Sequence, residues 1–115
     1  MKKISFDFKN RTAIVTGGAQ GFGFDISKRL LESGAKVIIW DNDLEATEVA
    51  IKDLDNPNLS SNVVDVSNYG EVDKIVKKIT KASNIDILIN NAGITGPTAT
   101  LWEYDIEMWK KVVEI

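Results

Sequence analysis

Apolar runs of strand length alternate with amphipathic helical patterns along this chain, and that alternation constrains its fold more than any other feature. Ala13-Ile14-Val15 runs into a glycine cluster, after which Phe22, Ile26 and Leu30 step at helical spacing until Ser33-Gly34 stops them. Lys36 to Trp40 is a continuous apolar strand, and Asn42 with Glu45 three residues later forms a capping-box pattern that opens a helix through Leu54. Asn56-Pro57-Asn58 is a turn and Asn62-Val63-Val64 a short strand. Asn68 with Glu71 then caps a helix carrying Val72, Ile75, Val76 and Ile79 on one face. Ile85 to Ile89 is the fourth strand, and Ile106, Trp109, Val112 and Val113 mark the inner face of a last helix.

Strands that are apolar on both faces need cover on both faces, and each right-handed crossover lays its helix against the sheet. The expected fold is therefore α/β, a doubly wound parallel sheet in the order 3-2-1-4. Ligands of such sheets bind beyond the carboxyl ends of the strands, at the switch point between the first and fourth. The polar irregularities of this sequence fall in those loops.

The first loop runs from Thr16 to Gly23, with glycines at 17, 21 and 23 in a GxxxGxG spacing. Gly17 can make the turn, Gly21 lets the backbone approach a phosphate, and Gly23 lets the helix pack closely on the sheet. Gln20 and Phe22, set among them, join the cofactor-binding candidates. Any tight strand-to-helix turn also uses glycine for its own geometry. Asp41 lies 18 positions past Gly23, at the end of the second strand. A carboxylate there accepts hydrogen bonds from both hydroxyls of the adenosine ribose of NAD and repels a 2′-phosphate; its alternative role is to cap the next helix. Gln20, Trp40, Asn42 and Asp43 supply no positive charge for such a phosphate, so NAD is favoured over NADP.

Composition narrows the remaining classes. The 115 residues carry a net charge of −3 with no basic stripe, which gives nucleic-acid binding no electrostatic support. The absence of cysteine and histidine removes thiolate chemistry, disulfides and any histidine acid or base. MKKISFDFKN lacks the apolar run of a signal peptide and no apolar run is long enough for a bilayer, so no membrane association and a cytoplasmic location are expected. Lys74, Lys77, Lys78 and Lys81 read as a solvated helix face, and Trp40, Trp102 and Trp109 mainly as packing residues.

Thr16-Gly17-Gly18-Ala19-Gln20-Gly21-Phe22-Gly23 after the first strand, Asp65-Val66 after the third and Asn90-Asn91-Ala92-Gly93 after the fourth resemble the cofactor motifs of the short-chain dehydrogenase/reductase family, in order and in context. The resemblance extends from Arg11 to Ile115 and implies a Rossmann-type domain. It implies that the Asp65 carboxylate holds the adenine amino group, that Val66 contacts the ring, and that Asn91, Ala92 and Gly93 line the cofactor. By themselves Asp65 can be a helix-cap carboxylate and Asn90-Asn91 a turn that satisfies its own backbone. The family further implies a small alcohol or ketone substrate, such as a 3-oxoacyl thioester, sugar or polyol, and a homo-oligomer for the full-length protein.

The same family uses a tyrosine with a lysine four residues on, a serine and a relay asparagine for proton transfer. Here Tyr69 is followed at that distance by Asp73 and Tyr104 by Met108, so no YxxxK is present. The chain ends inside an amphipathic pattern without glycine or cap. It is expected to be the N-terminal, cofactor-binding half of such an enzyme, truncated at its C-terminus; the alternative is a nucleotide-binding module without turnover.

Overall fold

A computed structural model describes residues 4–94 and 99–115. Its elements are β1 (Thr12–Thr16), α1 (Gly21–Glu32), β2 (Lys36–Asp41), α2 (Leu44–Leu54), β3 (Leu59–Val63), α3 (Tyr69–Thr80), β4 (Ile87–Ile89) and α4 (Ile106–Glu114). The four strands form one parallel sheet in the order β3-β2-β1-β4. Val15 pairs with both Ile39 and Ile89, so β2, β1 and β4 finish nearly level at their carboxyl ends and their following loops share one rim.

β1 is buried at all five positions because it has a strand on each side and a helix layer on each face. Its alternate residues feed two cores. Ala13 and Val15 join Leu30, Leu31, Val37, Ile39 and Ala50 beneath α1 and α2. Ile14 joins Trp40 and Val64 on the other face, where Val72, Ile75, Val76 and Ile79 of α3 pack against them partly buried. α3 and α4 have no fully buried residue.

Four local expectations are corrected. α1 buries Gly23, Ser27, Leu30 and Leu31 and leaves Phe22 82% exposed, so its inner face is rotated by one residue from the Phe22-Ile26-Leu30 line. Small side chains at 23 and 27 let the helix lie close to the sheet. α2 is capped by Asp43, whose carboxylate accepts the Ala46 N–H at 3.0 Å, and not by Asn42. β3 begins at Leu59, three residues early, because an edge strand tolerates the polar Ser60, Ser61 and Asn62 that hid it. β4 is confined to Ile87–Ile89: Asp86 extends the pairing through its side chain, taking the Thr12 N–H at 2.9 Å beside Arg11.

The tryptophans divide. Trp40 is buried and donates its indole N–H to Asn62 Oδ1 at 3.2 Å. Trp102 is exposed, and the inner face expected for the last helix is open: Ile106, Trp109 and Val113 are all exposed, and Trp109 meets Tyr104 edge to face. Asn68 caps α3 as its sequence indicates, accepting the Glu71 N–H at 3.1 Å. Among the described residues no helix is long and apolar enough to cross a membrane.

Candidate cofactor site

The rim made by the loops after β1, β2, β3 and β4 encloses a groove of about 350 Å³. Gly17 and Gln20 of the first loop and Gly21 at the start of α1 line it, with Trp40 and Asp41 at the end of β2 and Asn42 and Asp43 just after. Val64, Asp65 and Val66 form the wall after β3, and Asn91, Ala92, Gly93 and Ile94 the wall after β4, with Ile115 closing one side. Nine of the eleven residues singled out by sequence therefore meet in one place. Phe22 and Gly23 do not line the groove; Phe22 projects outward and Gly23 supports the loop from beneath.

The glycines act in different ways. Gly17 adopts φ +63 and Gly21 φ +57, left-handed conformations that side chains disfavour. A Cβ on Gly21 would meet nothing within 4 Å, leaving that stretch of backbone open to a ligand. A Cβ on Gly23 would lie 2.1 Å from the Gly17 carbonyl oxygen, so this position is glycine for backbone-to-backbone contact. Gly18, not singled out by the spacing, is equally confined: its Cβ would fall 2.9 Å from the Val15 carbonyl oxygen and 3.0 Å from the Ile39 side chain. The doubled glycine at 17 and 18 was the available sign.

α1 points its N-terminus at this groove and differs there from α2, α3 and α4. Each of those has an Asp or Asn side chain capping a backbone N–H and a glutamate in its first turn. The α1 N-cap, Gln20, makes no side-chain cap bond, and the first turn holds no acidic residue. Uncapped N–H groups and the positive end of the helix dipole suit an anion, and a carboxylate would compete with one.

Asp41 is held at both oxygens. Oδ2 accepts the Ala19 N–H at 3.3 Å and Oδ1 accepts the Asp43 N–H at 3.1 Å, which bridges the glycine loop to the start of α2. Asp65 is exposed; its Oδ1 accepts the Ser67 N–H at 2.9 Å and the Ser67 hydroxyl at 2.6 Å. Those two bonds, the hydroxyl first, hold its carboxyl below the usual aspartate range.

Thr16 ties the two sides of the switch point together. Its buried hydroxyl accepts the N–H groups of Asn91 and Ala92, both at 3.0 Å, and donates to the Ile89 carbonyl at 3.3 Å. Asn91 returns the contact by donating Nδ2–H to the Gly17 carbonyl at 3.2 Å. Asn91 is thus a brace as well as a groove residue. Thr16 was legible in sequence only as the first residue of the glycine loop, because its partners lie 75 and 76 positions away.

A parallel 3-2-1-4 sheet, an uncapped glycine-rich helix start and a carboxylate ending β2 define one class of protein: dinucleotide-binding domains of the Rossmann type. A family model described as short chain dehydrogenase matches residues 11–115, and the chain belongs to that family. It is 34% identical over 109 residues to a 2-dehydro-3-deoxy-L-rhamnonate dehydrogenase (NAD(+)) of Sphingomonas, covering 94% of this chain and 43% of that protein. The fold matches a 3-ketoacyl-(acyl-carrier-protein) reductase of Brucella melitensis complexed with NADH at a TM-score of 0.86 and 29% identity, over 94% of this chain and 44% of the other. It also matches the Pseudomonas aeruginosa RhlG/NADP complex at a TM-score of 0.83 and 34% identity, over 95% and 43% of the two chains. The chain thus spans less than half the length of the proteins it resembles, and those complexes include both nicotinamide cofactors.

Proposed function

We propose that this chain supplies the adenosine and pyrophosphate half of the cofactor site in an NAD(H)-dependent oxidoreductase that interconverts a secondary alcohol and a ketone. The observation that carries the choice of NAD is the Asp41 carboxylate in a groove whose lining, among the described residues, includes Asp43 and Asp65 but neither lysine nor arginine. A 2′-phosphate on the ribose would meet those carboxylates with no counter-charge. The described residues suit the adenosine half of the cofactor: Gly21 and the first turn of α1 take the pyrophosphate, Asp41 the ribose hydroxyls, and Asp65 with Val66 the adenine. Asn91, Ala92 and Gly93 line the continuation of the groove. The bound nicotinamide supplies the hydride chemistry.

Proton transfer is assigned to groups other than those of this chain. Tyr69 and Tyr104 lack a lysine four residues on, and Tyr104 is engaged with Trp109. The relatives support 3-oxoacyl thioesters or sugar-derived ketones as the substrate class. The exposed Ile106, Trp109 and Val113 on α4 support a homo-oligomer for the whole protein. The missing YxxxK also supports a second reading, a nucleotide-binding module without turnover.

Calorimetric titration of NAD+ and NADP+ tests the cofactor assignment. NAD+ is expected to bind more tightly, and Asp41→Ala to narrow the gap by removing the ribose hydrogen bonds and the repulsion together. Tighter NADP+ binding to the unsubstituted protein would overturn it. Hydride transfer from NADH by the purified 115-residue chain would overturn the assignment of proton transfer elsewhere.

A further inference from the structure

Asp41 and Asp65 stand at the ends of different strands, and the distance between them depends on how the end of β3 is held against β2. β3 is an edge strand paired with β2 alone, and its Ser60, Ser61 and Asn62 bring no apolar side chain to the core. α3, which packs over that face, has no fully buried residue. The turn that carries Asp65 is bonded to itself: the carboxylate takes the Ser67 N–H and hydroxyl, and the Asp65 carbonyl takes the Asn68 N–H at 3.0 Å. Its seat on the sheet is therefore set just before it, at Asn62 and Val64.

Trp40, the residue before Asp41, meets both. It lies directly opposite Asn62 in the parallel register, so the two side chains share a face of the sheet, and Val64, two residues on, shares that face too. The buried indole donates its N–H to Asn62 Oδ1 at 3.2 Å and packs with Val64, while Val66 lies against the same cluster. A bond from the Val64 N–H to the Asp41 carbonyl, at 2.9 Å, is the last backbone link between the two strands. An aliphatic residue at 40 would fill space; a buried indole whose N–H needs an acceptor also fixes a direction, because a hydrogen bond is directional.

We infer that Trp40, through its bond to Asn62 and its packing against Val64, is a positioning residue that sets the Asp65 carboxylate at the distance from Asp41 which one adenosine spans. The inference rests on the assignment of the ribose to Asp41 and the adenine amino group to Asp65.

The test compares NAD+ with nicotinamide hypoxanthine dinucleotide, in which a carbonyl replaces the adenine amino group, by calorimetric titration. The unsubstituted protein is expected to bind NAD+ about tenfold more tightly, the worth of a hydrogen bond to a charged acceptor. Asn62→Ala and Trp40→Phe, which each break the indole bond, are expected to lower that ratio at least about threefold. The double variant should lower it no further than Trp40→Phe, since the two residues act through one bond. Asn62→Asp, which keeps the accepting oxygen, should retain the ratio. Asn62 is half-buried on the edge strand, so its replacement leaves the core intact even if Trp40→Phe loosens it. A merely structural loss weakens both dinucleotides alike and leaves the ratio where it was. An unchanged ratio in Asn62→Ala and Trp40→Phe therefore overturns the positioning role. A ratio near one in the unsubstituted protein instead overturns the assignment of adenine to Asp65, and the positioning role with it, so the two failures are read from different samples.

Discussion

Replacing Gly23 by alanine sets two physical effects against each other, and the structure fixes which wins. Inside a helix, Gly→Ala ordinarily stabilises by about 1 kcal/mol. Here the new Cβ would fall 2.1 Å from the Gly17 carbonyl oxygen, 2.6 Å from Asn91 Nδ2 and 2.8 Å from the Gly17 carbonyl carbon. Two of those atoms are backbone, and the third is fixed by its 3.2 Å bond to the first. To restore ordinary contact α1 must retreat by about 1 Å, which breaks the close packing of the helix on the sheet. Overpacking of this kind costs about 1–3 kcal/mol, and losing the Asn91–Gly17 bond about 1 more. Set against the gain in helix propensity, the net loss is about 1–3 kcal/mol, or about 4–12 °C in Tm for a chain of this size. Gly70→Ala is the control, because a Cβ there meets nothing nearer than Asn68 Oδ1 at 3.7 Å. Thermal melting followed by far-ultraviolet circular dichroism should show Gly23→Ala melting lower and Gly70→Ala unchanged or slightly higher. A Gly23→Ala protein that melts at or above the unsubstituted one would refute the close-approach argument.

Thr16→Val keeps the shape of the side chain but strips the Ala92 N–H of its acceptor and leaves the Asn91 N–H only the Ile89 carbonyl at 3.1 Å; it is expected to cost about 1–3 kcal/mol in denaturant unfolding and to speed amide exchange most at Ala92, with Thr16→Ser recovering most of both. Ser67→Ala should raise the titration midpoint of the Asp65 carboxyl, observed by NMR, toward that of an ordinary aspartate. Because the folded-state pKa of Asp65 lies below its unfolded value, its contribution to stability is present above the usual aspartate range and is lost as pH falls through the folded-state value. The stability difference between Ser67→Ala and the unsubstituted protein should therefore disappear in acid, and a difference that persists there would contradict the assignment.

The parts of the fold that were legible in sequence are those written in local patterns. β2 is a continuous apolar run, α3 carries its apolar stripe behind an Asn68 cap, and the alternation of elements implied a parallel sheet whose 3-2-1-4 order came with the Rossmann-type loops. The parts that were not legible depend on tertiary contact. Asn42 and Asp43 are both good caps, and the choice between them falls to Asp43 in a chain whose Asp43 N–H is also drawn to Asp41. The inner face of α1 is set by the backbone at Gly17 rather than by apolar periodicity, which is why Phe22 was misplaced. For the site, Gly17, Gly21, Asp41, Asp65 and Asn91 announce themselves through motif spacing. Thr16, Gly18 and Asp43 do not, since each matters through a neighbour from another loop or strand.

The bond between Thr16 and the turn after β4 also orders events in time. β1 emerges first from the ribosome, yet the strand that pairs with its outer edge is the last of the four to be made. Until residues 91 and 92 are available, the hydroxyl of Thr16 and the carbonyl of Gly17 lack the partners that hold the glycine loop in shape. β1, α1 and β2 can assemble through their own contacts well before then, as N-terminal segments do during synthesis. The loop that receives the cofactor is thus among the last parts of this sheet to take its final form, and a nascent chain stopped short of β4 would have the motif without the grip.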